Sequence, residues 1–515
     1  MLGYFKYQGK KQKGECIQMR KQTKLAVGVS AAALLAIGAS MTSFAANRGW
    51  TNEGDAWYYY DNSGDYVTDK WKSYNGNYFY LGDEGYMLTN ELIDDNNNYY
   101  YVDANGVMVK NTWVAIAADE DETEDVDYRW YYFGPAGKAY KNSKGKTING
   151  KKYGFDDEGK MLFGFADGTA SLINDNDDAI LRCTYYYGTN DDGARHSGWL
   201  RYEDGFSEHD EEYDDDYYWF WFDSNGEKRV DKTKKVNGRT YAFDENGVMI
   251  TEFTANNGTG TSVEATGSKY YSANLEDGSL KKSAWIRTSM PDNASWRALD
   301  GWDDDDHWFR TDSQGVLITN VTKKINSKWY VFDQYGVMQD GLVILDKNKV
   351  SGANFVKALN EDDVTAQMIY NEDLSSNGLF YFSADEEKDG AMKTGSSVKI
   401  SLADDDYKFY FTKTTGQAFD GVKSNKLYRN GILQEASDDK YSVVFGHDND
   451  GNEKLFLVGT TGTVCKAGKS YKDSNDTYWV VKNDGIYNAG TEAKDAKAVL
   501  DGTKTVPAEN IADYK

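Results

Sequence analysis

Proline is nearly missing from this chain, with three in 515 residues, and cysteine and histidine are as scarce, at three and four. So few cysteines exclude a scaffold built on disulfides. Cys183 and Cys465, the two beyond the N-terminal segment, either pair or stay as free thiols. His196, His209, His307 and His447 are scattered among acidic insertions and form no HExxH set. There is no GxSxG elbow, and neither cysteine sits in a recognisable nucleophile context. Carboxylates are so abundant that a pair at glycosidase spacing arises by chance. No non-repeating stretch of 100 residues is left over to hold a catalytic domain, so the expectation is a protein that is not an enzyme and needs no cofactor.

Long apolar runs are also lacking, with one exception. Arg20, Lys21 and Lys24 precede an apolar run from Leu25 to about Ala39, which closes on Ser43-Phe44-Ala45, small residues at the −3 and −1 positions of a signal-peptidase site. Residues 1–45 are therefore expected to be a signal peptide, too short in its apolar run for a permanent anchor. The residues before Met19 fit no targeting logic. Lys13-Gly14-Glu15 can be encoded as a ribosome-binding sequence, which would make Met19 the true start; the nucleotide sequence tests this. Beyond residue 45 no membrane span is expected. The C-terminal "VPAENIADYK" shows no hydrophobic tail and no wall-sorting motif, so any retention at a surface would be non-covalent.

Positive charge is the last shortage. The chain has 58 basic and 83 acidic residues, and removing the first 45 leaves 51 against 82. Such a surface repels nucleic acid, teichoic-acid phosphates and anionic lipid. Any anionic polymer must be held by something other than bulk charge.

Aromatic rings are what the chain has in plenty: 40 Tyr, 22 Phe and 14 Trp. A highly charged chain with so many rings is expected to fold, because disorder goes with few aromatics. The rings come in a repeated phrase. "KKYGFDDEGKM" at 151–161 returns as "RTYAFDENGVM" at 239–249 and "KWYVFDQYGVM" at 328–338, with a looser "NYYYVDANGVM" at 98–108. Tyr153 and Phe155 alternate with a small residue and so share one face of a strand. The acid, two polar residues and glycine that follow have the chemistry of a tight turn with φ > 0 at the glycine. A short apolar segment carrying the methionine completes a β-hairpin unit of about twenty residues. The same grammar recurs at 58–64, 78–85, 130–137, 185–193, 219–226, 308–315, 409–416 and 478–485.

One hairpin is barely stable in water, so each must cover the next. The fold expected is all-β: a solenoid of tandem β-hairpin repeats with rings between successive hairpins. A longer period lies above the hairpin. Trp113, Trp199 and Trp285 are spaced 86 and 86 residues apart, and Gly159, Gly247 and Gly336 are spaced 88 and 89. Each larger module strings together three hairpins. The expected organisation is N-terminal hairpins at 46–112, long tandem modules at 113–340, degenerate modules at 341–490, and a cap or loose tail at 491–515.

The phrases "GW…WYYYDNSG", "INGKKYGFDDEGKM" and "GWLR…WFWFDSNG" resemble the cell-wall-binding (choline-binding-type) repeats of Gram-positive surface proteins. They are also similar to glucan-binding repeats and to the carbohydrate-binding repeats of clostridial toxins. The resemblance covers residues 47–490 and implies ligand sites between consecutive hairpins. In choline-binding members the site is a box of aromatic rings, usually with a methionine nearby, since a quaternary ammonium pairs with ring faces. In sugar-binding members the rings stack on pyranose faces. Carried over by position, the resemblance marks Trp50 with Trp57, Trp113 with Trp130, Trp199 with Trp219, and Trp285 with Trp308, and more loosely Trp71 with Tyr80. Tyr100, Met108, Tyr153, Met161, Tyr241 and Met249 stand where a neighbouring hairpin would close a site. Acidic insertions at 117–127 and 203–216 separate the members of pairs, and modules four and five lack the motif Trp; both departures lean towards a carbohydrate.

The resemblance thus implies a secreted, non-catalytic protein held non-covalently at the cell wall, with cell-wall polysaccharide, teichoic acid or a glucan as partner. A structural spacer or adhesin for a host or neighbouring-cell partner is the alternative, as is choline-specific binding of teichoic acid. Most strand Tyr and Phe, and most of the methionines, are expected to be core. The acidic runs at 210–218, 303–307 and 447–453 hold oxygen ligands of the kind calcium prefers but lack a complete loop spacing, so no metal site is assigned and solvated hairpin tips are expected.

Overall fold

A computed structural model of the chain describes residues 48–118, 126–173, 178–203, 206, 213, 215–254, 266–289, 305–346, 352–383, 390–436 and 439–515. The expected signal peptide and most of the acidic insertions lie outside the described residues. The described chain is all-β apart from short helices such as Ala366–Asn371 and Ala493–Leu500. The described residues divide into two compact units: the first runs to Gly198 and takes in Phe222–Lys228, and the second takes in Trp199–Glu203, Asp215–Trp221 and the described residues from Arg229 to Lys515.

Antiparallel two-stranded ribbons follow one another along the sequence. They run from Gly49–Glu53 with Ala56–Tyr60, through Lys70–Tyr74 with Asn77–Leu81 and Ser143–Ile148 with Lys151–Phe155, to Val321–Ile325 with Lys328–Phe332, where Met338–Gln339 adds a short third strand. The tips of several are two-residue turns with both residues at positive φ. Asn149 and Gly150 sit at 48° and 83°, and Asn237 and Gly238 at 47° and 84°. This is the turn whose twist matches that of the flanking strands, and asparagine and glycine are the residues that tolerate it.

The repeated phrase builds the other end of each ribbon. In all four quoted copies the aspartate side chain caps the turn that follows it. Oδ1 of Asp103, Asp156, Asp244 and Asp333 accepts from the backbone N–H two and four residues on, at 2.8–3.0 Å. The acid is thus a local backbone partner, as Asx turns require.

The residue after that turn staples one hairpin to the one before it. The N–H of Met87 donates to the carbonyl of Trp57, Met108 to Tyr78, Ala139 to Tyr99 and Met161 to Trp130, at 2.7–2.9 Å. In the second unit Met249 donates to Trp219, Leu280 to Thr240 and Met392 to Trp329. The next residue turns back to its own hairpin, as Leu88 does to Tyr80 and Leu162 to Gly154. Edge groups that an isolated ribbon would leave to water are paired in this way.

Stacking also explains the methionines and the glycines together. A Cβ on Gly106 would lie 2.7 Å from Met87 Cε, and one on Gly193 would lie 2.3 Å from Met161 Sδ. Each such methionine fills the space beneath the next turn, so the glycine is needed for its positive φ and for its missing side chain. Between ribbons lie fully buried rings: Phe79, Phe133, Phe155, Phe220, Phe222, Phe243, Phe309 and Phe332 are all at 2 % exposure or less. Within each unit the all-β stack of tandem hairpins expected from the sequence is what forms.

Beyond residue 340 the sheets widen. Gly341–Asp346 pairs with both Phe355–Leu359 and Asn377–Phe382, and a five-stranded sheet spans residues 396–433. Leu342, Ile344, Ile369, Leu379 and Ile400 form a largely aliphatic core there with Phe409 and Phe411. Thr365 caps the helix Ala366–Asn371 by accepting from the Met368 N–H. In residues 491–515 the helix Ala493–Leu500 packs Ala496 and Val499 against Val480, and Ile511 and Tyr514 join the cluster around Phe445. Cys183 and Cys465 are both free thiols, and burial pushes each up to about 11.

Candidate functional site

Period-2 alternation divides each second strand into two faces. In Tyr128–Phe133, Arg129, Tyr131 and Phe133 are buried while Trp130 and Tyr132 are half-buried on the other face. Tyr218–Phe222 repeats this with Trp219 and Trp221 half-buried. The half-buried face receives the motif tryptophan from the first strand. Trp113 pairs in register with Tyr132, Trp71 with Tyr80 and Trp50 with Tyr59.

Three module-equivalent steps then share one geometry. Trp113 and Trp130 stand at 88°, with centroids 6.4 Å apart; Trp199 and Trp219 at 83° and 6.0 Å; Trp285 and Trp308 at 89° and 6.2 Å. The following hairpin closes each step with a tyrosine. Tyr153 lies 4.8 Å from Trp113, Tyr241 4.8 Å from Trp199, and Tyr330 4.9 Å from Trp285, all edge-to-face. A phenylalanine two residues on, Phe155, Phe243 or Phe332, backs the motif Trp at 5.8–6.0 Å. Met161 and Met338 pack into the first and third of these clusters.

The looser pair is also brought together: Trp71 lies 5.0 Å from Tyr80 and 5.1 Å from Tyr100. Its indole Nε1 donates to Asp95 Oδ2 at 3.1 Å. Burial first, then Asp69 and Asp95, push the Tyr80 phenol up, and burial and Asp192 do the same for Tyr153. These phenols stay neutral, and carboxylates border the rings. Trp50 has a different place. It is 4 % exposed and packs against Tyr59 and Phe79 in the core beside Trp57. Met108 and Met249 sit beneath Gly137 and Gly278, as the staple geometry requires.

Sequence reading did not single out the cross-strand neighbour of each motif Trp: Tyr132, Trp221 and Arg310. Trp221 lies 5.1 Å from Trp199, Tyr132 5.1 Å from Trp113, and the Arg310 guanidinium sits over the Trp285 ring at 5.3 Å. Tyr330 was passed over as well, although the phrase "KWYVFDQYGVM" places it where Tyr153 stands in its own copy.

At the step after residue 155 the post-turn position holds Arg195, whose guanidinium lies 4.0 Å from the Tyr185 centroid and bonds the Tyr187 hydroxyl. The next post-turn residue is the buried Lys228, which donates to the carbonyls of Ile180 and Leu181. Among the described residues no group of three or more His, Cys, Asp or Glu gathers as a metal site would. The acidic run at 447–453 forms a hairpin tip, where Asp448 Oδ1 accepts from the N–H groups of Asp450 and Asn452. No helix among the described residues is long and apolar enough to cross a membrane.

Comparison with known proteins agrees with the hairpin grammar. The choline-binding repeat family matches residues 67–113, the stretch that holds Trp71, Tyr80 and Tyr100. A curated relative, glucosyltransferase-S of Streptococcus mutans serotype c, is 27 % identical over 326 residues, which is 62 % of this chain and 19 % of the relative. The chain therefore spans about a fifth of the curated relative it matches. Among solved structures, choline binding protein F of Streptococcus pneumoniae aligns at 16 % identity and a TM-score of 0.30, over 74 % of this chain and all of that one. The choline-binding domain of CbpL from the same species aligns at 20 % identity and 0.29, over 45 % of this chain and 97 % of that one. The modular autolysin LytC, also from Streptococcus pneumoniae, aligns at 17 % identity and 0.33, over 57 % of this chain and 54 % of that one. Residues 67–113 match the choline-binding repeat family, and the hairpin phrases on either side of them are similar to that repeat.

Proposed function

We propose that this protein is secreted, has no catalytic activity, and is held non-covalently at a Gram-positive cell surface by binding choline-bearing wall polymer between its hairpins. The steps at Trp71, Trp113 and Trp199 are the binding sites, with Tyr80 and Tyr100, Trp130 and Tyr153, and Trp219 and Tyr241 as their other walls; the Trp285 step repeats the geometry with Trp308 and Tyr330. The observation that carries the reading is the angle between the rings. At three equivalent steps the two indoles stand at 83–89°, with a tyrosine edge-on beside them. Rings at right angles surround a compact, nearly spherical group, whereas a pyranose ring stacks on a flat face. A quaternary ammonium fits the first description and gains from several ring faces together, roughly 0.5–2 kcal/mol for each. The net negative charge of the chain also favours a cation over a bare phosphate or an anionic lipid.

Several weak sites on one chain multiply into useful retention on a polymer that presents the ligand repeatedly. The test is retention on purified choline-bearing walls, competed by choline and by glucan oligosaccharides. Choline is expected to release the protein and glucan to leave it bound. Release by glucan alone would make it a glucan binder, and no retention on any wall or glycan would overturn the reading. A cleared band in peptidoglycan zymography would end its non-catalytic part.

A further inference from the structure

The three module-equivalent steps match in four of their five ring positions and differ in one. The register partner of the motif Trp is Tyr132 opposite Trp113 and Arg310 opposite Trp285, and Trp221 takes that place beside Trp199. Tyr80 and Tyr59 hold it opposite Trp71 and Trp50. At the Trp285 step a wall that is a ring elsewhere is therefore a guanidinium, placed over the indole face at 5.3 Å, the distance at which the other steps place a ring.

We infer that Arg310 closes the Trp285 step to a quaternary ammonium, so that this step is set apart from the Trp113 and Trp199 steps by the charge of one residue. The inference rests on the reading that these steps bind choline. Two physical effects act together. The guanidinium stands where the other steps offer a ligand cation a ring, so one cation-binding wall is missing. A second cation seated against Trp285 would also lie within about 6 Å of a charge that is not lost at any ordinary pH. At that separation in a partly buried site, the repulsion weakens cation binding on the order of a hundredfold. Lysines do not account for the difference, because each closing tyrosine faces one across its own hairpin: Lys146 opposite Tyr153, Lys234 opposite Tyr241 and Lys323 opposite Tyr330. That feature is common to all three steps. What remains open at the Trp285 step is a pocket for a neutral or anionic group, with guanidinium donors in place of one ring.

The experiment is calorimetric titration of the full secreted chain with choline chloride. Arg310→Tyr, which restores the composition of the Trp113 step, is expected to gain one equivalent of choline per chain. Arg310→Lys, which keeps the charge, is expected to match the wild type. The double variant with Trp285→Ala is expected to lose the gained equivalent again. Should Arg310→Tyr fail to fold by circular dichroism, the converse substitution Tyr132→Arg decides, with the loss of one equivalent expected. An unchanged stoichiometry in Arg310→Tyr or in Tyr132→Arg, in a chain that still binds choline at steps sensitive to Trp199→Ala, overturns this inference alone. Absence of choline binding from the wild type and from Arg310→Tyr overturns both it and the reading on which it rests.

Discussion

Residues 49–332 and 341–490 solve the same packing problem with different side chains. In the first stretch the ribbons up to Arg310 have two strands each and are covered by rings, with Phe133, Phe222, Phe243 and Phe309 fully buried. In the second, sheets of three and five strands enclose Leu342, Ile344, Ile369 and Leu379, and a capped helix helps to cover them. A narrow ribbon has few residues per face, so each must bring a large apolar area, and an aromatic ring brings the most. A wider sheet places more residues on the core, so aliphatic chains share it with the buried rings of Phe382, Phe409 and Phe411. The half-buried tryptophans belong to the first arrangement: a ribbon that needs rings on its covered face also has a second face on which rings are only partly covered.

The contrast can be broken from either side. The largest effect is expected from Phe133→Ala, which empties a site at 0 % exposure beside Tyr101 and Tyr131 and should cost about 3–5 kcal/mol. Denaturant unfolding should show it, together with weaker wall retention. Ile344→Ala, at 1 % exposure in the aliphatic core, should cost about 2–5 kcal/mol and leave choline binding at the Trp113 step unchanged. If wall retention falls in step with stability there too, the two stretches do not behave as separate arrangements.

Next comes a pH effect read at one copy of the repeated phrase, although burial also raises Asp156 in another. Burial pushes Asp333 up to about 6, although the N–H groups of Val337, Tyr335 and Gly336 pull it down. The folded chain therefore holds this proton more tightly than the unfolded chain, whose carboxyl titrates near its ordinary value of about 4. Stability from this group is full below about pH 4 and is lost as the pH rises through about 6, by roughly 2–3 kcal/mol. Asp333→Asn keeps an oxygen for the turn and should flatten that part of the stability curve; an unchanged slope would refute the assignment. The smallest effect is expected from Gly193→Ala, at about 1–2 kcal/mol, because a Cβ would meet Met161 at 2.3 Å and φ is 53°. Met161→Ala in the same chain should restore part of the loss; no restoration would mean that backbone strain alone is responsible.

Much of the fold was legible because the ribbon is short-range. Asparagine–glycine tips, capping aspartates and turn glycines lie within a few residues of what they determine, and the phrase at 151–161 shows all of these except the tip, which stands just before it at Asn149–Gly150. The motif tryptophans could be read from their spacing. Their register partners could not, because the connection between the two strands differs in each module: 17 residues separate Trp113 from Trp130, 20 separate Trp199 from Trp219, and 23 separate Trp285 from Trp308. Without a fixed loop, no count along the chain pairs Trp285 with Arg310. Met87, Met108, Met161 and Met249 are core as expected, but their seats beneath the turns were not legible, since the glycine above each belongs to the next ribbon and only stacking order brings the two together. In residues 491–515 the periodic signal is gone, and the packing of Val499 against Val480 is a contact no repeat pattern announces.

The N–H that each post-turn residue offers to the ribbon before it has a consequence for how such a chain can change length. Because donor and acceptor recur once per ribbon, excising one whole unit leaves the flanking pieces with matching partners, and duplicating one adds a partner for every group it brings. Gain or loss of one ring cluster by recombination is then mild for the backbone. A cut at any other interval strands an amide against a carbonyl that is not there.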